Sequence, residues 1–177
     1  VFLDRGALYM IMDQFDKAIE DLTEAIKSAP DHFVLAYRYR SVAYKRKGDY
    51  ESSIKDLKKC VQINPKLGEI YIMLIEPLVR LRQFEEARKY YQLSLGKEVY
   101  ADQDEERWKY YQFYVYATAI HIPNGDYKTA LIQIEKGLVE CVEKDGYDYA
   151  NLLSLKGFLL EKLNLKIEAI QIYKQSL

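Results

Sequence analysis

Histidine and cysteine are the side chains that most often carry out catalysis or bind metal ions. In this sequence they lack the partners that such chemistry requires. The chain has two histidines and two cysteines: His32, His121, Cys60 and Cys141. Neither histidine has a serine or cysteine at a spacing recognisable as a nucleophile with its base. Two cysteines and two histidines leave little for an ordinary zinc site, and the sequence lacks a glycine-rich phosphate loop, an HExxH motif and a paired-carboxylate motif. We therefore predict a protein that is not an enzyme and that holds no cofactor and no metal ion.

A short basic segment is the strongest candidate for recognising another molecule. Five cations lie within ten residues that contain no acid: Arg38, Arg40, Lys45, Arg46 and Lys47. Such a cluster can grip acidic side chains or the C-terminal carboxylate of a bound peptide. The alternative is a solvated helix face that Asp49 and Glu51, which follow it, partly neutralise. We keep Arg38, Lys45 and Arg46 as candidate binding residues.

Aromatic residues are unusually dense between positions 108 and 116. Six lie within nine residues: Trp108, Tyr110, Tyr111, Phe113, Tyr114 and Tyr116. Tyrosine can bury its ring and keep its hydroxyl in water, so most of these side chains are expected to pack in the core or at its rim. Tyr111 is the best candidate for a binding surface. Stacking on nucleic-acid bases is disfavoured, because the acidic residues at 102 and 104–106 would repel phosphates.

Composition narrows the class of protein further. The chain has 177 residues, a hydrophobic fraction of 49% and a net charge of -1, from 26 Lys+Arg against 27 Asp+Glu. This hydrophobic fraction is too high for intrinsic disorder. The near-neutral charge removes the strongest electrostatic case for binding nucleic acid or an anionic membrane. No apolar run approaches the ~18 residues of a membrane span, and there is no signal peptide, so we expect a cytoplasmic protein.

The distribution of glycine and proline predicts an all-α fold. Eight glycines and four prolines are too few for the frequent turns of a β-sandwich or barrel. Apolar residues recur at helical spacing, as in Ile54, Leu57 and Val61. We predict helix pairs at 1–12 with 16–28, 34–47 with 50–63, 67–82 with 84–96, 103–122 with 127–143, and 147–163 with 165–177.

The helix pairs also repeat. A small residue recurs early in the second helix of each pair, at intervals of 35, 34, 43 and 39 residues: Ala18, Ser53, Ala87, Ala130 and Ala169. A large apolar residue follows each of them four positions later, and another small residue seven positions later, which lets helix backbones approach closely. Such a period is typical of solenoids. We predict a single array with repeats at about 1–32, 33–66, 67–100, 101–145 and 146–177.

The pattern resembles the tetratricopeptide repeat family, whose consensus reads W-x2-L-G-x2-Y…A-x3-F…P. The first unit matches with Phe2, Arg5, Gly6, Tyr9, Ala18, Leu22 and Pro30, and the second with Tyr37, Arg40, Ser41, Tyr44, Ser53, Leu57 and Pro65. The fourth unit departs through a long interval and through His121 at a packing tyrosine position. The fifth departs through Asn164 and Lys166, where a turn glycine and an aromatic are usual. Both ends of the chain fall inside the pattern, so we expect a piece of a longer protein.

The resemblance implies a right-handed α-solenoid of stacked antiparallel helix pairs, whose first helices line a concave groove. The positions expected in this groove are Arg38, Val42, Lys45, Arg46, Ile72, Glu76, Val79, Arg80, Tyr111, Val115, Ala119, Ile122, Phe158 and Lys162. Apolar contacts would supply most of the affinity for a partner, and the cations would orient it.

The function that this architecture implies is a non-catalytic scaffold that binds a protein or peptide segment in the groove. One subset of the family clamps the C-terminal carboxylates of chaperones, but the five clamp positions carry Leu3, Ala7, Tyr39, Ile72 and Glu76 here, so that activity is not expected. Helical repeats that read RNA need a positive groove throughout, and only the second repeat is basic, so no nucleic-acid partner is expected. Two alternatives stay open: a structural spacer in a large assembly, and a regulatory domain of a larger enzyme.

Overall fold

The computed structural model of the chain describes residues 1–28, 33–95, 114–141 and 146–176. Every regular element within these residues is helical, which confirms the predicted all-α fold. The helices form two compact units, Val1–Tyr100 and Ala101–Leu177. The single continuous array stays a prediction.

The first unit contains three helix pairs. Helix α1 (Phe2–Ile11) pairs with α2 (Phe15–Ser28), α3 (Val34–Arg46) with α4 (Tyr50–Ile63), and α5 (Gly68–Arg80) with α6 (Phe84–Ser94). Helix α2 also packs against α3, and α4 against α5, so the pairs stack through the second helix of one and the first helix of the next. The observed helix ends lie within two residues of the predicted ones.

The second unit continues with helical residues 114–119, here called α7, and a 3₁₀ turn at Ile122–Asn124. Helices α8 (Tyr127–Glu140), α9 (Tyr147–Lys162) and α10 (Lys166–Gln175) follow. Two helices end three residues before the predicted position: the one expected to reach 122 ends at 119, and the one expected to reach 143 ends at Glu140. Pro123, which has no N–H to donate, lies in the 3₁₀ turn that follows α7. The predicted helical residues 103–113 lie outside the described part of the chain.

The turn between the two helices of a pair has the same backbone conformation in all five helix pairs. One residue of each turn is left-handed: Asp13 (φ 54°), Gly48 (81°), Arg82 (59°), Gly125 (71°) and Asn164 (62°). Each of them lies five residues before the recurring small residue of its pair. Asn164 therefore occupies the turn position of a glycine, since asparagine enters this region more readily than most residues. The fifth repeat therefore departs from the consensus in the type of its turn residue, but not in the backbone conformation of its turn.

Close packing within the pairs depends on small residues. A methyl group added at Gly6 would lie 2.8 Å from Cγ of Leu22, and one at Gly157 would lie 2.5 Å from Cε1 of Tyr173. Both distances are too short for two carbon atoms, so these glycines permit the approach of α1 to α2 and of α9 to α10. In the second unit, the core contains Ala130, Ile134, Leu152 and Leu159, all fully buried.

Candidate interaction surface

The first helices of the second and third pairs carry most of the predicted binding residues. We call their shared surface the α3–α5 face. It comprises Arg38, Val42, Lys45 and Arg46 of α3, with Glu69, Ile72, Glu76, Val79 and Arg80 of α5. The spacing of these residues follows the helical period, so on each helix they lie along one stripe.

Two ion pairs join the helices across this face. Nη1 of Arg38 lies 3.0 Å from Oε1 of Glu69, and Nζ of Lys45 lies 2.7 Å from Oε2 of Glu76. Seven residues, about two helical turns, separate the two cations on α3 and the two acids on α5. Because both sets advance in the same direction, α3 and α5 run side by side with the same polarity.

The ion pairs change the interpretation of the basic segment. The alternative interpretation placed its neutralising acids at Asp49 and Glu51, immediately after the segment, whereas the observed partners come from other helices. Arg38 and Lys45 stay on the α3–α5 face, but each is already bound to a carboxylate. Arg46 is exposed and makes no ion pair with any other described residue.

The remaining two cations of the segment do not belong to this face. Nε and Nη2 of Arg40 each donate to a carboxylate oxygen of Asp56 at 2.8 Å, and Nη1 donates to Oγ1 of Thr23 at 2.9 Å. Burial opposes the charge on Arg40, but the hydrogen bonds to Asp56 override it and raise the pKa of the guanidinium above its usual value. Lys47 pairs with Asp16 at the start of α2.

Apolar side chains lie beside the ion pairs. Val42 of α3 and Ile72 and Val79 of α5 are each half-buried, so part of each side chain is available for contact. Arg80 is 54% exposed and lies 3.8 Å from Oε1 of Glu76. The described part of the face thus combines an apolar centre, two closed ion pairs and two cations near the C-terminal ends of its helices.

The groove residues predicted for the second unit contribute to packing. Val115, Ile122 and Phe158 pack against its buried core cluster. Ile122 lies on the 3₁₀ turn rather than on a helix, which corrects its predicted position. Nζ of Lys162 lies 5.3 Å from the ring centre of Phe158. Ala119 is half-buried, and Tyr111 lies outside the described residues.

Comparison with known sequences identifies the repeats. Two models of the family described as Tetratricopeptide repeat match the chain, over residues 1–32 and 34–67. A TPR repeat-containing protein of Methanocaldococcus jannaschii is 35% identical over 85 residues. The first two repeats of the chain are tetratricopeptide repeats. The aligned region is 48% of this chain, and the chain spans 14% of the length of that relative.

Several solved structures share the fold over nearly the whole chain. MamA protein has a TM-score of 0.79 at 20% identity, over 99% of this chain and 87% of that chain. YrrB, described as a TPR protein with an unusual peptide-binding site, has a TM-score of 0.76 at 16% identity, over 99% of this chain and 82% of that chain. The APC/C hetero-tetramer Cut9-Hcn1 has a TM-score of 0.72 at 16% identity, over 99% of this chain and 32% of that chain. At these identities the likeness shows the fold alone.

One recurring contact of these tetratricopeptide repeats was not predicted from the sequence. Arg5 donates two hydrogen bonds to Asp21, at 2.5 and 2.7 Å, as Arg40 does to Asp56. The hydrogen bonds from Arg5, with its positive charge, hold the pKa of Asp21 below its usual value even though burial opposes this. The signal was present: in both repeats an arginine replaces the consensus leucine, and an aspartate follows sixteen residues later.

The described histidine and both cysteines, which could in principle take part in catalysis, have surroundings typical of residues that stabilise the fold. Nδ1 of the buried His121 lies 3.3 Å from Oδ2 of Asp126, which caps α8 by accepting the N–H of Thr129. Burial raises the pKa of Cys60 to about 12, so this thiol stays protonated at neutral pH. Cys141 is half-buried, and His32 lies outside the described residues. Across residues 1–28, 33–95, 114–141 and 146–176, no group of three or more His, Cys, Asp or Glu side chains could hold a metal ion.

Among the described residues, no helix is both long enough and apolar enough to cross a bilayer.

Proposed function

We propose that this chain is a non-catalytic protein-interaction scaffold, and that the α3–α5 face binds a segment of a partner protein. The observation that carries the proposal is the pairing of α3 with α5 by two ion pairs, beside half-buried Val42, Ile72 and Val79. Two solved structures with the same fold support it, since YrrB is described as having a peptide-binding site and Cut9 is described in a complex with Hcn1.

The ion pairs contribute to binding by fixing the surface in advance. Because Arg38 and Lys45 are held by Glu69 and Glu76, the helices that carry the apolar side chains keep their spacing without a partner. A preorganised surface loses less conformational entropy on binding than a mobile one. Affinity would then come from burial of apolar area, at about 25 cal/mol per Å² before the costs of association are subtracted.

The proposal is tested by affinity capture from a cell extract with quantitative mass spectrometry. The test variant is Ile72→Ser with Val79→Ser, which removes apolar contacts from the face without adding charge. The matched control is Leu93→Ser with Ile132→Ser, because these exposed apolar residues lie on α6 and α8. We expect partners of the wild-type chain to be lost by the test variant and retained by the control. Equal capture by both variants would place the binding surface elsewhere.

A structural spacer in a larger assembly is the second candidate. The observation that favours it is exposed apolar surface on α1 and α10. Leu8 and Ile11 of α1 are 58% and 80% exposed, and Ile167 and Ile170 of α10 are 74% and 56% exposed. Cross-linking of the natural full-length protein distinguishes the candidates: a spacer forms cross-links through these helices, whereas a binding module forms them through α3 and α5.

A further inference from the structure

On helix α1, an apolar side chain is exposed at a position that the other helix pairs bury. Leu8 lies ten residues before the small residue of its pair and is 58% exposed. The residues at the same position in the other four pairs are fully buried: Ala43, Pro77, Ile120 and Leu159. Arg5, three residues before Leu8, lies on the same side of α1. We call the surface formed by Arg5 and Leu8 the α1 face.

Arg5 binds a carboxylate as Arg40 does, but Arg40 makes a further contact. Nε and Nη2 of Arg5 donate to Asp21. The same two atoms of Arg40 donate to Asp56, and Nη1 of Arg40 donates to Thr23 on the preceding helix, α2. No other residue in the described part of the chain accepts a hydrogen bond from Nη1 of Arg5. More than half of the Arg5 side chain is exposed, so this atom is available to a helix that packs against α1.

The contact between Arg40 and Thr23 recurs at another junction with different residue types. Lys156 lies at the position of Arg40 in its own pair, and its Nζ lies 2.9 Å from Oε1 of Glu135 on the preceding helix, α8. Glu135 and Thr23 each lie five residues after the small residue of their pair. Two junctions thus join a cation on a first helix to a hydroxyl or a carboxylate on the helix before it. Such hydrogen bonds are stronger than those between neutral groups, because the donor is charged.

The last helix of a second copy of this chain lacks the acceptor that Arg5 requires. If α10 of a second copy packed against α1 as α2 packs against α3, Lys174 would lie opposite Arg5, because it follows the small residue of its pair by five positions. Lysine has no acceptor, and its charge repels that of arginine. A helix like α8 would instead place a carboxylate there. The α1 face therefore favours a helix of a different protein over one from a second copy.

We propose that the α1 face binds an amphipathic helix of a partner protein, and that this helix presents a hydroxyl or a carboxylate to Nη1 of Arg5. The partner helix takes against α1 the place that α2 has against α3 and that α8 has against α9, and Leu8 contacts its apolar side. The proposal does not rest on the role of the α3–α5 face. Helices α2 and α8 also indicate the sequence of the partner helix, with a large apolar residue directly before the acceptor and a small residue two positions after it. The residues that show this spacing are Leu22, Thr23 and Ala25 in α2, and Ile134, Glu135 and Gly137 in α8.

The contact is tested with two synthetic helices that are titrated onto the intact chain. The α8 peptide copies residues 127–140 and presents Glu135, and the α10 peptide copies residues 166–177 and presents Lys174. A side-chain bridge between exposed positions holds each peptide helical, because isolated helices of this length are marginal in water. Fluorescence anisotropy of the labelled peptides measures Kd. We expect the α8 peptide to bind about tenfold more tightly than the α10 peptide.

Substitutions in the α8 peptide leave the chain itself unchanged. Glu135→Lys should weaken binding about tenfold and Glu135→Gln about threefold, because the charge that faces Arg5 is reversed or removed. High salt should reduce both effects. Glu140→Gln is the matched control, since it removes an exposed carboxylate from the last turn of the same helix, and it should leave Kd unchanged.

Substitutions in the chain locate the site on α1. Leu8→Ser should weaken binding of the α8 peptide about fivefold, because an apolar contact is lost. Leu93→Ser on α6 is its control, since it removes another exposed leucine. Arg5→Lys should retain the preference for glutamate over lysine in the peptide, because Lys156 already makes this contact with a lysine side chain. Circular dichroism of each variant checks that the helices persist.

Three results would overturn the proposal: no measurable binding of the α8 peptide, equal binding of the two peptides, or binding of the α8 peptide that Leu8→Ser leaves unchanged. Tighter binding of the α10 peptide would show that the face accepts a second copy, which also contradicts the proposal. None of these results bears on the α3–α5 face, whose role is tested separately with the Ile72→Ser plus Val79→Ser variant.

Discussion

Replacing Asp56 with asparagine should destabilise the first unit strongly. The Asp56 side chain is 5% exposed and that of Arg40 is 14% exposed, and two hydrogen bonds of 2.8 Å join them. Removing one partner of a buried ion pair costs about 3–5 kcal/mol, because the other charge is left without compensation. Arg40 keeps some access to water, so the lower value, about 3 kcal/mol, is expected. For a unit of this size that corresponds to a fall of about 12–24 °C in Tm.

The pair in the first repeat provides the matched comparison. Arg5 and Asp21 have the same geometry, but the Arg5 side chain is 53% exposed, so water can replace the lost carboxylate. Thermal unfolding of the whole chain, followed by circular dichroism, should therefore show a much smaller fall for Asp21→Asn than for Asp56→Asn. Equal falls in the two variants would refute the argument from burial.

A double substitution separates the charge from the packing. The third repeat has Leu74 and Tyr90 where the second has Arg40 and Asp56. Replacing a buried ion pair by apolar residues of similar volume is often neutral or stabilising. Arg40→Leu, as at Leu74, combined with Asp56→Val keeps the summed side-chain volume close to that of the ion pair and should thus recover most of the stability that Asp56→Asn loses. The hydroxyl of Thr23 keeps a partner in this variant, because it also donates to the carbonyl of Ile19 at 2.6 Å.

Four further outcomes are expected. Gly157→Ala should lower Tm by an amount equivalent to about 1–3 kcal/mol, since the added methyl group overlaps a tyrosine ring of α10; an unchanged Tm would contradict the close approach. Arg82→Gly should raise stability in urea by about 0.5–1 kcal/mol, because φ is 59° at this turn, and a loss of stability would contradict this. The pKa of Asp21 is lower in the folded chain than in the unfolded chain. The ionised Asp21 therefore stabilises the fold fully above the unfolded-state pKa, and this stabilisation is lost as the pH falls through the folded-state pKa. Urea unfolding between pH 7 and pH 3 should accordingly show a steeper loss for the wild type than for Asp21→Asn. Cys60, whose pKa is about 12, should resist a thiol reagent at pH 8 until the chain unfolds, while half-buried Cys141 reacts first; rapid labelling of Cys60 in the native chain would contradict its burial.

The helix pairs could be predicted because their signals are local. Apolar periodicity and the small residue that recurs near the start of each second helix are both readable within one repeat. The prediction for the fourth repeat was the least accurate, since the helix expected to reach residue 122 ends at 119 and Ile122 already lies in a 3₁₀ turn.

The charge state of the candidate site could not be read in the same way. The partners of Arg38 and Lys45 lie thirty-one residues further along the chain, on the first helix of the next pair. A window of ten residues around the basic segment therefore shows five cations and none of the acids that neutralise four of them. Only an alignment of consecutive repeats would have shown that both pairs, Arg38 with Glu69 and Lys45 with Glu76, are separated by the same number of residues.

The constant turn conformation has a consequence for how such a chain can change in evolution. Each of Asp13, Gly48, Arg82, Gly125 and Asn164 reverses the chain with the same left-handed backbone, although four different residue types occur there. A helix pair and its turn therefore form a cassette whose internal geometry tolerates sequence divergence. In a stacked array each cassette contacts only its neighbours. Duplication or deletion of a whole cassette would then alter the number of repeats and change only the junctions at the point of duplication or deletion.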